Sequence, residues 1–358
     1  MIQGARRLTG PAAPAHRRLT RINAGALRRA NPAQPALRRS VVVASPGDHM
    51  SAFEQTARFL RSALQAAEGE ARTVETHASL VFIGRDHVWK LKKPVRYPYL
   101  DFSTPQRRIA ACRAELALNA RFAPRLYVRV RQIVREANGR LAFDAPGDAV
   151  DAVVEMRSFV QSDLLDAMAA RRALSRPVLE RLAATVARSH DIAPQAAEPR
   201  AGARVANVLS INDRSLRASG LFPETRCDAI RDAFRRRFDA HARLIERRGG
   251  EGKIRRCHGD LTLRNICMFE GEPTLFDCLE FDEELATIDV LYDLSFLLMD
   301  IWRHGLRDDA NWFFNRYLDA RDETDGLALV PFFMAMRACV RAHVAATDRK
   351  STRLNSSH

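Results

Sequence analysis

Lysine is nearly missing from this chain. Of 57 basic residues in 358, only five are lysines: Lys90, Lys92, Lys93, Lys253 and Lys350. Three of them share one short stretch, which marks a place where a compact ammonium is needed instead of a planar guanidinium. Cysteine is also sparse. None of the six forms a C-x-x-C pair, which removes the common zinc and dithiol signatures; in a chain of this length they read as reduced thiols. No run of about 18 apolar residues occurs, so no transmembrane helix is expected. RNP, zinc-finger and helix-turn-helix signatures are absent, so the net charge of +14 does not point to a specific nucleic-acid binder. No internal repeat of about 20–50 residues is present either.

The excess charge is local. Residues 1–50 hold nine arginines and one acid, Asp48, which accounts for +8 of the +14. Four Arg-Arg pairs stand among Pro and Ala with no sustained apolar period. An organelle transit peptide, a disordered basic arm and upstream sequence read from too early a start codon all fit. The last is preferred, because Met50-Ser51 opens a helical pattern directly. At the other end, residues 349–358 are polar and aperiodic and look like a non-native appendage.

Between these ends the pattern changes once. Ser51 can cap a helix with Phe53, Leu60, Leu64 and Ala67 on one face, ending at Gly69. Leu80–Ile83 and His87–Leu91 flank Gly84-Arg85-Asp86 as a hairpin. Ser103-Thr104-Pro105 starts a second helix with Ile109, Cys112 and Leu116 inward. Strands follow near 126–134, 141–143 and 152–156. After Arg157 the text is mainly helical: 163–171, 177–190, 223–248, then 290–304, 309–321 and 327–346, interrupted by a β section from Ile254 to Phe281. The stretch near 194–206 reads as less ordered. The expected class is α+β: a mixed lobe over residues 50–157 and a helical lobe with a β-hairpin over residues 158–348.

The chemistry is carried by His258-Gly259-Asp260-Leu261-Thr262-Leu263-Arg264-Asn265, a short strand, the turn Glu270-Gly271-Glu272-Pro273, and Thr274-Leu275-Phe276-Asp277. A loop acid is followed five residues later by an amide, and a hairpin then returns a second acid. Phosphoryl transfer needs a base near the acceptor hydroxyl and hard oxygen ligands for Mg²⁺. This text resembles the aminoglycoside phosphotransferase and choline-kinase group, and is similar to the His-Arg-Asp and Asp-Phe-Gly motifs of protein kinases. Phe276–Phe281, Ile288–Leu294, Lys90–Pro94 and Leu100–Thr104 resemble an uncharacterised bacterial subgroup of that family. The resemblance spans about residues 74–346 and implies a two-lobed protein-kinase-like fold, with Asp260 as catalytic base and Asn265 and Asp277 as Mg²⁺ ligands. His258 would then be structural. Thr262 stands where the subgroup commonly has His. Members of the subgroup often continue into a P-loop kinase domain; no G-x-x-x-x-G-K-[ST] occurs in this sequence.

The nucleotide side can be placed as well. Val88, Lys90 and Lys92 share one strand face. In kinases the residue two before the phosphate lysine lines the adenine pocket, so the resemblance implies Lys90 in preference to Lys92, with Val88 in that role. That lysine usually pairs with a glutamate on the next helix, where Glu115 is the candidate. By the same resemblance Val153-Val154-Glu155-Met156, at the end of the last lobe strand, should be the hinge, with Glu155 and Met156 bonding adenine through their backbone. Thr76-His77-Ala78-Ser79 replaces the usual Gly-rich loop. Asp293 is either an orienter of the catalytic loop or a first-turn helix acid. Glu280, Asp282, Glu283 and Glu284 read as a solvated turn in preference to a lure for a cationic acceptor. His190, Trp302 and Trp312 read as structural or core positions.

The expected function is transfer of the γ-phosphate of ATP, with Mg²⁺, to a hydroxyl of a small molecule. The alternative is a pseudokinase-like nucleotide-binding regulatory module. Expected partners are a small-molecule acceptor and a P-loop kinase domain outside this chain, with no specific nucleic acid, no membrane and a cytoplasmic location.

Overall fold

The computed structural model describes residues 50–97 and 100–355. The readings made for residues 1–49 and 356–358 lie outside the described residues.

The first helix, α1 (Ala52–Glu68), shows how closely its ends follow the sequence. Ser51 and Glu54 form a reciprocal capping box, and Gly69 closes the helix with φ 80°. A six-stranded antiparallel sheet follows, in the order β1 (Arg72–Glu75), β2 (Ser79–Ile83), β3 (His87–Lys92), β8 (Asp148–Arg157), β6 (Tyr127–Arg135) and β7 (Leu141–Phe143). The two-residue strands β4 (Arg96–Tyr97) and β5 (Leu100–Asp101) pair on their own. They lead into α2 (Pro105–Asn119), capped by Thr104 with Pro105 in its first turn.

Alternation along β3 splits the small lobe into two layers. Trp89 and Leu91 pack with Phe82, Leu60 and Leu64 under α1. Val88 packs on the other face with Val154, Met156, Ile109 and Cys112, toward α2. Arg108 of α2 and Asp151 of β8 form a buried pair, 2.8 Å between Nη2 and Oδ2, that clamps the helix to the sheet.

The large lobe is helical: α3 (Leu165–Ala170), α4 (Arg176–Ile192), α5 (Ala201–Ser219), α6 (Glu224–Gly250), α7 (Glu283–Ala286), α8 (Val290–Arg303), α9 (Arg307–Ala320) and α10 (Val330–Asn355). Two short ribbons are inserted. β9 (Ile254–Arg256) pairs with β12 (Thr287–Asp289), and β10 (Ile266–Phe269) with β11 (Glu272–Leu275). The core centres on α8, which is buried along nearly its whole length.

Three expectations are corrected here. α5 occupies most of a region read as less ordered or left unassigned. It begins at Arg200, whose φ of 38° is left-handed and which offers no side-chain cap, so the usual start signal is missing. The last helix runs to Asn355, past the position where periodicity ends. Trp302 and Trp312 are surface positions; Arg307 lies 5.2 Å from the Trp302 ring and Arg176 lies 4.6 Å from that of Trp312. The Thr324–Ala346 stretch is long and apolar enough to cross a membrane by length and composition, yet it sends Leu329, Phe332, Phe333 and Met336 into the core.

Arg248 is the largest fully buried side chain among the described residues. It reaches Asp289 (2.7 Å), Glu323 (2.7 Å) and Asp325 (3.0 Å), joining the end of α6 to the start of α8 and the turn before α10. Removing it leaves buried carboxylates short of a cation. Arg248→Met should therefore cost about 3–5 kcal/mol, read as a fall in the urea midpoint with little change in slope.

Candidate active site

The loop between β9 and β10 is held from behind by α8. Asp293 accepts the amides of His258 (3.2 Å) and Gly259 (2.9 Å), one on each oxygen. One heptad on, Asp300 accepts the amide of Leu263 at 3.0 Å. Gly259 sits at φ 82°, and a Cβ there would lie 2.9 Å from the Leu279 Cβ. The backbone sign and the lack of space both require glycine. His258 donates from Nε2 to the Phe276 carbonyl (3.0 Å), tying the loop to the hairpin end. Burial lowers its pKa and keeps it neutral.

Asp293 is itself fixed. His190 Nε2 lies 3.3 Å from it, and His190 Nδ1 lies 2.9 Å from the Tyr317 hydroxyl. Burial alone would raise the Asp293 carboxyl, but the bond from His190 and the nearby charges hold it below the usual carboxylate range. Of the two readings open for Asp293, the geometry supports the loop orienter. The Cys257 sulfur completes a close buried group with His190 and Asp293. Burial pushes that thiol well up, and it bonds the Ile288 carbonyl instead.

A single 3₁₀ turn, Leu263–Asn265, connects the loop to β10. Asn265 spends its amide hydrogens on Asp260: Nδ2 donates to the backbone carbonyl (2.9 Å) and to Oδ2 (2.8 Å). Its carbonyl oxygen is left as the acceptor it can offer elsewhere. Arg264 Nη2 also lies 3.3 Å from Asp260 Oδ2, a neighbour not foreseen. Asp260 Oδ1 is the oxygen that neither of them engages.

The hairpin delivers Asp277. Ile266 faces Leu275, and the Phe276 amide bonds the Asn265 carbonyl at 2.9 Å. Asp277 therefore follows immediately on the residue opposite Asn265. It stands at φ 58°. The Tyr127 hydroxyl accepts its amide at 3.2 Å, and Asn119 accepts the next amide, that of Cys278, at 2.9 Å. Both holders belong to the small lobe.

The lysine strand meets this hairpin. Lys90 Nζ lies 2.9 Å from Glu115 Oε1 and 2.5 Å from Asp277 Oδ1. Lys92 Nζ lies 2.5 Å from Glu115 Oε2 and 2.5 Å from Glu280 Oε1. Burial would lower Lys90, but Asp277 and Glu115 outweigh it and hold the ammonium well above its ordinary value. Asp277 and Glu115 are lowered despite burial, chiefly by Lys90. Glu280 is raised, because burial outweighs the pull of Lys92. Lys90 thus stands beside Asp277, while Lys92 is 1% exposed and points deeper.

A profile of the phosphotransferase enzyme family matches residues 83–327. The chain belongs to this family. Uncharacterized proteins of Mycobacterium tuberculosis and Mycobacterium bovis are 30% identical over 278 residues, 75% of this chain and 53% of each relative. The chain thus spans about half the length of these curated relatives. Two solved structures are more distant. A choline/ethanolamine kinase family protein from Mesorhizobium loti gives a TM-score of 0.49 at 16% identity, covering 83% of this chain and 87% of its own. The GDP complex of aminoglycoside 2'-phosphotransferase-IIIa gives 0.45 at 13%, covering 82% and 93%.

Two site expectations need correction. Glu155 and Met156 lie inside β8, paired with β3 on one side and β6 on the other. Their backbone groups are committed to the sheet and are not open to adenine. Glu155 also faces the other layer, bonding Trp89 (3.2 Å) and Arg129 (3.1 Å). Met156 shares a face with Val88 and can line a base only through its side chain. The chain first leaves the sheet at Ser158. The second correction concerns Glu280, which is part of a buried ion pair and neither a solvated acid nor a lure. Asp282 caps α7 through the Leu285 amide (3.0 Å), and Glu284 pairs with Arg204 (2.8 Å).

The Asp293 anchor yields a pH signature. A carboxylate lowered in the folded state stabilises above its unfolded pKa, and that gain is lost as pH falls through the folded value. Asp293→Asn should therefore show a stability deficit that is constant from about pH 8 to 5 and shrinks below about pH 4, followed by urea unfolding at each pH.

Proposed function

We propose that this family member transfers the γ-phosphate of ATP, in the presence of Mg²⁺, to a hydroxyl of a small molecule. The observation that carries the reading is Lys90 Nζ bridging Glu115 and Asp277 at 2.9 and 2.5 Å. A cation of the small lobe meets an acid of the hairpin where the phosphates of a nucleotide would lie.

The donor set suits a hard cation. Asn265 has an amide oxygen to offer once its N–H groups are spent, and Asp277 keeps a carboxylate that is 42% exposed. Asn265 and Asp277 would hold Mg²⁺, whose chemistry is to neutralise charge on the phosphate oxygens. Lys90, free to leave Asp277, would hold a phosphate while remaining on Glu115. Val88 and Met156 supply an apolar wall for the base.

Asp260 would take the proton. Its Oδ2 is fixed by Asn265 and Arg264, which leaves Oδ1 for the acceptor hydroxyl. The hydroxyl oxygen attacks the γ-phosphorus and its proton passes to Asp260. The bond from that phosphorus to the bridging oxygen breaks, and the electron pair leaves with ADP. The six cysteines are free and buried, which suits the cytoplasmic location we assign. The half-length match leaves room for a separate P-loop domain as a working partner in longer relatives.

The test is ATP consumption screened against amino alcohols, sugars, aminoglycosides and macrolides. Asp260→Ala should lower kcat by about 10²–10⁴-fold, and Asp277→Ala should abolish turnover at ordinary magnesium concentrations. Full activity in both variants would refute the assignment. Binding of ATP without turnover of any acceptor, or of water, would favour the nucleotide-binding module.

A further inference from the structure

Five charged side chains form an unbroken row of alternating sign: Asp277, Lys90, Glu115, Lys92, Glu280. Each neighbouring pair is 2.5–2.9 Å apart. Exposure falls along the row, from 42% at Asp277 and 15% at Lys90 to 0% at Glu115 and 1% at Lys92, with Glu280 at 11%. The row leaves the large lobe at Asp277, passes through β3 and α2, and returns three residues later at Glu280. Lys92 has no part in the reaction above, and Glu280 touches no proposed ligand.

Deep ion pairs are costly, and a site asked only to pack would do as well with apolar side chains of similar volume. The reason for charge here lies in Glu115. One of its oxygens serves Lys90 and the other serves Lys92. When Lys90 leaves Asp277 for a phosphate, Glu115 must stay in place for Lys90 to stay aimed. The Lys92 ammonium holds Glu115 from behind, and Glu280 holds Lys92. The aromatic ring of Phe102, 5.3 Å from Lys92 Nζ, closes the same pocket.

We infer that Lys92 and Glu280 are positioning residues: a second lysine–carboxylate pair that fixes Glu115, and through it Lys90, and that ties the segment bearing Asp277 to the small lobe. The pair deepens the ATP-dependent reading of the site and rests on it. It acts at a distance from the nucleotide, so its loss should fall on the step in which Lys90 must be aimed, and less on binding.

Steady-state ATP turnover of the full chain, with the best acceptor of the screen or with water, gives the test. Two variants are compared with wild type: Glu280→Gln, and the double variant Lys92→Met/Glu280→Leu, which replaces the pair by apolar volume. Both should melt cooperatively, the double variant within about 5 °C of wild type. In both, kcat should fall about tenfold or more while KM for ATP moves less than about threefold. Wild-type kcat and KM in the folded double variant would overturn the inference and leave the phosphotransferase reading standing. If the double variant fails to fold, Glu280→Gln decides by the same split, and wild-type kinetics there overturns it. If the wild-type chain itself neither binds nor turns over ATP, the phosphotransferase reading fails and this inference falls with it.

Discussion

One carboxylate shared by two ammonium groups organises the cleft. Glu115 is fully buried, and only the lysines on either side make its charge tolerable there. The arrangement dictates much around it. The cations must be compact enough to share one carboxylate, which suits lysine and not the forked guanidinium. They must also be two apart on one strand, so that both reach the same helix. The helix must carry polar groups inward: α2 buries Arg108, Glu115 and Asn119 beside Ile109 and Cys112. Asn119, one turn after Glu115, returns its amide nitrogen to the Glu115 carbonyl and gives its oxygen to the Cys278 amide. A single helix thereby sets both the lysine and the backbone that follows the metal-binding candidate.

The loop bearing Asp260 depends on a second scaffold of the same kind. Asp293 and Asp300 project from α8 and cap amides at two points of the loop. Neither faces solvent. The loop thus borrows its rigidity from the helix at the centre of the large lobe, where packing is densest. Asp260 can stay partly exposed without losing its position, because the backbone on either side of it is tied down.

Much of this was legible because it is written locally. The Ser51 box, Gly69, Thr104-Pro105 and the Gly84 turn are contiguous signals, and the elements they predict are present nearly to the residue. The resemblance to kinases implied a lysine–glutamate pair, and strand alternation with helix facing picked out Lys90 and Glu115 as its members, which the structure pairs. What was missed depends on tertiary context. α5 lacks a capping side chain, and its buried face of Val205, Val208 and Leu216 is interrupted by Asn212, so its start and its inward face are weakly marked in the sequence. Glu280 stands among acids that a linear reading assigns to solvent, and its partner is 188 residues away. The strand bearing Glu155 and Met156 was ended too early, because the text does not show that β8 continues to Arg157. Rarity of lysine was the one available clue to Lys92: a chain that uses arginine almost everywhere had kept a second ammonium on the same face.

The backbone at Asp277 shows the same trade between fold and chemistry. Its φ of 58° lies in the left-handed region, where a residue with a Cβ costs about 1–2 kcal/mol relative to glycine. Glycine would relieve the strain but would bring no carboxylate to the cleft. The conformation is instead fixed from outside: Tyr127 and Asn119 accept the amides of residues 277 and 278, and His258 donates to the carbonyl of residue 276. Two consecutive peptide groups, 276–277 and 277–278, are thus held at three backbone atoms by side chains from two lobes. The acid is kept in a strained turn because its surroundings leave no easier one, and the direction of its carboxylate toward Lys90 follows from that constraint.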